Sequence, residues 1–101
     1  MIKDSVRRSI CEREGILNSC GYDPHHCFFL SEYFSEDRND EWNVEPVKRG
    51  VHECIHSGVD SKWKLLEIKL KEKALGRYAG KNKDELIKIL KNKSIHYGVQ
   101  R

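Results

Sequence analysis

The fold turns on residues 25–56, HHCFFLSEYFSEDRNDEWNVEPVKRGVHECIH, which hold four of the chain's five histidines. At the C-terminal end of this stretch, residues 50–57 (GVHECIHS) predict two helical turns closed by Gly58. His52 and His56 are four residues apart, so on a helix they project from one face, while Cys54 and Ile55 turn toward the packing. Upstream, residues 25–30 (HHCFFL) are apolar enough for a strand. Residues 42–47 (WNVEPV) alternate as a second strand, with Pro46 confining it to an edge or a strand end. The polar stretch between them, SEYFSEDRNDE, has no clear period and predicts a loop. The expected unit is a hairpin followed by a short helix.

That unit can bring histidines together. Two imidazoles at i, i+4 supply convergent ligands, and a third from a strand packed across the helix leaves positions for water and substrate. Neighbouring residues of a strand point to opposite faces, so one of His25 and His26 can face an ion with His52 and His56. The other stays free for proton transfer.

Working outward, residues 4–14 (DSVRRSICERE) predict a helix capped by Asp4, with Val6 and Ile10 on one face and Gly15 beyond its end. Residues 16–24 (ILNSCGYDP) lead into the hairpin, with turn signals at Cys20-Gly21 and Asp23-Pro24. Asp60 caps an amphipathic helix over residues 61–75 whose apolar face carries Trp63, Leu66, Leu70 and Ala74. Gly76 and Gly80 bracket a break around Arg77-Tyr78, and Asn82 with Glu85 has capping-box spacing ahead of a last helix. The class is α+β with little sheet: a hairpin-plus-helix core flanked by an N-terminal helix and two C-terminal helices.

Composition sets the frame. At 101 residues the chain has room for one domain, 1–101, and one modest core. Charged residues make up 35% and apolar residues 38%, so a metal, disulfides or a partner is expected to support a thin core. The net charge of +3 conceals a split: residues 1–58 carry 7 Lys/Arg against 11 Asp/Glu, and residues 59–101 carry 12 against 5. The basic second half, from residue 62 to the stretch 81–93, invites an anionic partner, nucleic acid first. No apolar run reaches the ~18 residues of a membrane span, and the first residues lack a signal-peptide core. A cytoplasmic protein with reduced thiols is therefore expected, without a membrane partner. Cys11, Cys20, Cys27 and Cys54 are spaced too irregularly for a zinc knuckle and are read as buried free thiols.

The order His25-His26, Asn43, then His52 nine residues later and His56 four further on, resembles the HNH endonucleases. The resemblance covers residues 16–58, and the sixteen residues between His26 and Asn43 suit it. It implies a ββα-metal core of two strands and a helix around one divalent ion (Mg, Mn, Ni or Zn). By the same resemblance His25, His52 and His56 are metal ligands, His26 is the general base, and Asn43 holds the hairpin and the base in position. The implied reaction is hydrolysis of DNA, with the duplex form as the expected substrate, to 5′-phosphate and 3′-hydroxyl ends, by a bacterial or phage-encoded enzyme that a homodimer would suit. Many such enzymes carry a second, structural zinc on two Cys-x-x-Cys pairs. Here Cys20 matches one position, but Leu17, Lys48 and Val51 occupy the others. The N-terminal helix and the Trp63 helix are expected to support the hairpin instead.

Arg38, Lys48 and Arg49 beside the motif, and Lys62 and Lys64 at the start of the basic helix, are the candidate nucleic-acid contacts. The acidic loop residues Glu32, Glu36, Asp37, Asp40 and Glu41 are expected to be solvated, one of them at most backing a metal-bound histidine. Phe28, Phe29, Trp42 and Trp63 are expected in the core, and His96 on the surface. Two further readings share these residues: a non-catalytic, zinc-stabilised nucleic-acid-binding module, and an interaction protein whose histidines are structural.

Overall fold

Chain order runs α1 (Asp4–Arg13), β1 (Tyr22–His26), two 3-10 turns (Glu36–Asn39 and Glu41–Asn43), β2 (Val44–Lys48), α2 (Arg49–Ser57), α3 (Ser61–Arg77) and α4 (Lys83–His96). This computed structural model describes residues 2–58 and 60–98. The class is α+β, as expected, with one antiparallel hairpin and four helices among the described residues.

The hairpin pairs Tyr22 with Lys48 through to His26 with Val44, which sets Pro24 opposite Pro46. Backbone bonds at its two ends, Cys27 N to Asn43 O (2.8 Å) and Arg49 N to Gly21 O (2.9 Å), fix the alternation. Pro24 and Pro46 therefore fall on a pair whose N–H groups would point outward, so no ladder bond is lost and both edges are blunted. This explains why β1 starts at Tyr22 and ends at His26, rather than running over residues 25–30. Asp23-Pro24, a turn signal by composition, is tolerated in mid-strand. Trp42 likewise belongs to the second 3-10 turn, and β2 begins at Val44.

Phe28 and Phe29 leave the strand and enter the core through a tight turn, in which the amides of Glu32 and Tyr33 both donate to Phe29 O (3.0 Å each). The loop is more than a solvated connection. Tyr33 is fully buried, its hydroxyl donates to Asp37 (2.6 Å), and it accepts from Asn82 Nδ2 (3.0 Å). Asn82 precedes α4 but forms no side-chain cap, because its carboxamide is turned to Tyr33 and Ser35. Asp4 similarly sits in the first turn of α1, with Lys3 in the capping position.

Helices clasp the hairpin from both sides. Ile2 and Ile10 bury Val44, with Val6 packed alongside. On the other side Cys27 and Val47 join Ile55, Ile68, Leu70 and Ala74 in the main core. The side chain of Asp60 caps α3 by accepting from Lys62 N (3.1 Å), as expected. α3 passes through Gly76 without a break and ends at Arg77. Gly80 is needed further on, since a Cβ there would overlap the Tyr78 ring. The buried face of α3 is Glu67, Ile68, Leu70, Lys71 and Ala74, whereas Trp63 and Leu66 are only half-buried.

That face explains the charge split. Lys71 Nζ, fully buried, lies 2.6 Å from Glu32 and 3.2 Å from Glu67, and donates to Cys27 O (2.7 Å). Lys93 reaches Glu32 at 3.4 Å. Glu45, also buried, gathers Arg77 (3.0 Å), Lys73 (3.4 Å) and Arg13 (3.4 Å). Acids of the first half thus draw in cations of the second, and Glu32, expected to be solvated, is an interior partner. All four cysteines are free, but of the four expected to be buried only Cys27 is, and burial pushes its thiol up to about 12; Cys20 is exposed, and Cys11 and Cys54 are half-buried. No helix among the described residues is long and apolar enough to cross a membrane.

Candidate metal centre

β2 runs into α2 with no intervening residue, and Gly58 at φ 63° ends the helix in the left-handed region that glycine favours. This tight join lays α2 across the hairpin. His52 and His56 on one face of α2 meet His25 on the strand face beneath. One ligand nitrogen from each of the three lies within 4.8 Å of the others, which makes them the candidate metal group among the described residues. Their rings meet edge-on, with centroids 5.2 Å (His25–His52), 5.4 Å (His25–His56) and 4.7 Å (His52–His56) apart.

The chemistry of these nitrogens fits a cation. His25 is fully buried, and neither ring nitrogen has a hydrogen-bond partner. A buried polar atom left unpaired is costly, and such an atom is ordinarily satisfied by water or an ion. Burial, then the neighbouring His52 and His56, push its pKa down to about 3, so His25 stays neutral, the form that binds metal. His56 is also lowered, mainly by burial and then by His52. His52 Nδ1 lies 3.2 Å from Asp23 Oδ2, and a carboxylate can only accept, so Nδ1 carries a proton, which in the neutral ring leaves Nε2 bare. That bare Nε2 stands 3.1 Å from His56 Nε2. A zinc ion with Zn–N bonds of about 2.0–2.1 Å in tetrahedral geometry holds its nitrogens about 3.4 Å apart.

Asp23 is the residue that sequence reading missed. It faces α2 two residues before His25, by the period of the strand, and it also meets Arg49 Nε at 3.4 Å. His52 and then Arg49 hold its carboxyl below the usual range. The signal was the i, i+2 spacing to His25, hidden by reading Asp23-Pro24 as a turn.

His26 points away from the triad yet shares its mouth. With Phe29, Leu30, Ser31 and His56 it lines a shallow cavity of about 380 Å³. Its Nε2 lies 2.7 Å from Asn39 Oδ1. A carboxamide oxygen only accepts, so Nε2 carries the proton and Nδ1 has the free lone pair. Burial lowers the His26 pKa against the raising effect of Asn39, which keeps the ring neutral.

Asn43, fully buried, ties this corner together. Its Oδ1 accepts from Phe28 N (2.7 Å), and its Nδ2 donates to Phe28 O (3.1 Å) and to Arg38 O (2.8 Å). It thereby fixes the segment after His26 and the turn that carries Asn39. Arg38 is half-buried beside His26, Lys48 and Arg49 are exposed at the β2–α2 join, and Lys62 and Lys64 lie over the rings of Trp63 (4.8 Å) and Tyr97 (5.4 Å). No family model, no curated protein and no solved structure matches the chain.

Proposed function

We propose that this chain is a metal-dependent endonuclease of the HNH type, built on a ββα-metal core, that hydrolyses DNA phosphodiester bonds. The observation that carries the reading is the pairing of three convergent imidazoles, His25, His52 and His56, with a fourth, His26, at the same opening. One divalent ion, when bound, supplies Lewis-acid stabilisation of the negative charge that develops on the phosphate and the departing oxygen. The donors are all imidazole nitrogen, a set that favours zinc or nickel over magnesium.

The protein residues divide the remaining work. His26, neutral and with Nδ1 free, takes the proton of the attacking water. The water oxygen bonds to phosphorus as the bond to the 3′ oxygen breaks, and that oxygen leaves with a proton from solvent. Asn39 fixes the His26 tautomer, and Asn43 fixes Asn39 through Arg38 O. Asp23 fixes His52. Arg38, Lys48 and Arg49 sit where a phosphate backbone would pass, with Lys62 and Lys64 further along α3.

Plasmid nicking with Zn²⁺, Ni²⁺, Mn²⁺ or Mg²⁺ tests the reading. The wild type is expected to nick, and His26→Ala to bind metal and DNA but cut about 10²–10⁴-fold more slowly. A wild type that binds both and never cuts would leave the non-catalytic zinc-stabilised module in its place.

A further inference from the structure

A second groove, of about 310 Å³, lies between α1 and the start of the hairpin. One wall carries Arg7 and Arg8, and the other carries Tyr22 and Asp23. Both arginines are exposed, and neither guanidinium has an ion-pair, hydrogen-bond or ring partner among the described residues. This sets them apart from Lys71, Lys73, Arg77 and Lys93 of the basic second half, which are engaged by Glu32, Glu45 and Glu67. Asp23 is the strand residue common to the groove and the histidine cluster: it is among the residues lining the groove, while its carboxylate turns to the α2 face of the hairpin, 3.2 Å from His52 Nδ1. Arg49, exposed and 3.4 Å from Asp23, continues the positive rim toward α2.

We infer that this groove receives the sugar–phosphate backbone of the nucleic acid flanking the bond that is cut, with Arg7 and Arg8 as its phosphate contacts. The inference rests on the nuclease reading and adds the path of the substrate to it. Free guanidinium groups on one wall match a phosphodiester chain in charge and in donor geometry. Asp23 does not oppose that match, since its carboxylate turns to α2, toward His52 and Arg49. Glu12, also in the groove and exposed, does oppose it. The inference therefore fixes two signs: removing Arg7 and Arg8 weakens binding, and removing the Glu12 charge strengthens it. It also moves part of the nucleic-acid surface to the acidic half of the chain, away from the helices that net charge alone indicates.

The experiment measures binding of a fluorescent 20-base-pair duplex to the full chain across a salt series, alongside plasmid nicking. Arg7→Gln with Arg8→Gln should weaken binding about tenfold at low salt and reduce the slope of log K against log[salt] by about 2, one for each lost contact. Glu12→Gln should tighten binding two- to threefold. All three positions are exposed on α1, so circular dichroism of each variant should match the wild type. Unchanged affinity and slope in the double variant, while the wild type binds and nicks, overturn the groove and leave the nuclease reading intact. The expected shifts in a protein that never nicks support the groove and remove the nuclease reading. A wild type with no affinity for the duplex overturns the groove outright.

Discussion

The carboxylate of Asp23, on β1, lies 3.2 Å from Nδ1 of His52, on α2, and so fixes which nitrogen of that ring faces His25 and His56. A carboxylate behind a ligating histidine orients the ring and raises its basicity. Asp23→Asn keeps the size and a hydrogen bond but loses the charge. Its expected effect is a 10–100-fold loss of zinc affinity, read by competition with a chelator, with the unfolding midpoint of the metal-free protein little changed. Equal metal affinity in the two proteins contradicts the role.

Asn43 makes three hydrogen bonds from one buried side chain, to both backbone groups of Phe28 and to Arg38 O. Asn43→Ala leaves those groups short of partners in a site that water reaches poorly. The expected cost is about 2–4 kcal/mol, measured by urea unfolding of the metal-free protein. A cost below about 0.5 kcal/mol, the size of an ordinary surface change, contradicts it.

Lys71 carries the largest electrostatic risk in the fold, as a fully buried ammonium between Glu32 and Glu67. Lys71→Ala leaves Glu32 and Glu67 with only the longer ion pairs to Lys93, at 3.4 and 3.8 Å, and is expected to cost about 3 kcal/mol, a large fraction of the roughly 5–15 kcal/mol that such domains possess. Lys71→Met with Glu67→Gln removes the charges together and should recover part of that loss. A single variant as stable as the wild type rules out the account of α3.

His25 sets the acid response of the metal-free protein. Its pKa is pushed from 6.5 in the unfolded chain to about 3 in the fold, so between those values the unfolded chain binds a proton that the folded one does not. Stability from this group is complete above about pH 6.5 and falls as pH drops toward 3. Urea midpoints at pH 7.5 and pH 4.5 should therefore differ more for the wild type than for His25→Phe. Equal pH dependence in the two contradicts a neutral, buried His25.

Much of this was legible in the sequence, and the failures share a cause. The spacing of His52 and His56, the stop at Gly58 and the cap at Asp60 are local, and each is found where local rules put it. What escaped depends on partners far along the chain. Strand β1 starts early because Pro24 meets Pro46 on a pair that needs no N–H. Asn82 is turned from its helix by Tyr33, 49 residues away. Glu67 and Lys71, four apart on α3, are interior because Glu32 and the Cys27 carbonyl, far along the chain, are brought to Lys71. Counting charge by halves likewise hides that Glu32 and Glu45 of the first half draw Lys71, Lys73, Arg77 and Lys93 of the second into ion pairs. Asp23 could have been found by carrying the strand period two residues back from His25.

The most direct measurement is the zinc stoichiometry and ligand count of the purified protein, by titration and X-ray absorption spectroscopy. One tightly bound ion per chain with three imidazole nitrogens, lost in both His25→Ala and His52→Ala, is the expected result. An absence of tight binding, or a bound ion unaffected by loss of His25, would contradict the metal centre on which the account stands.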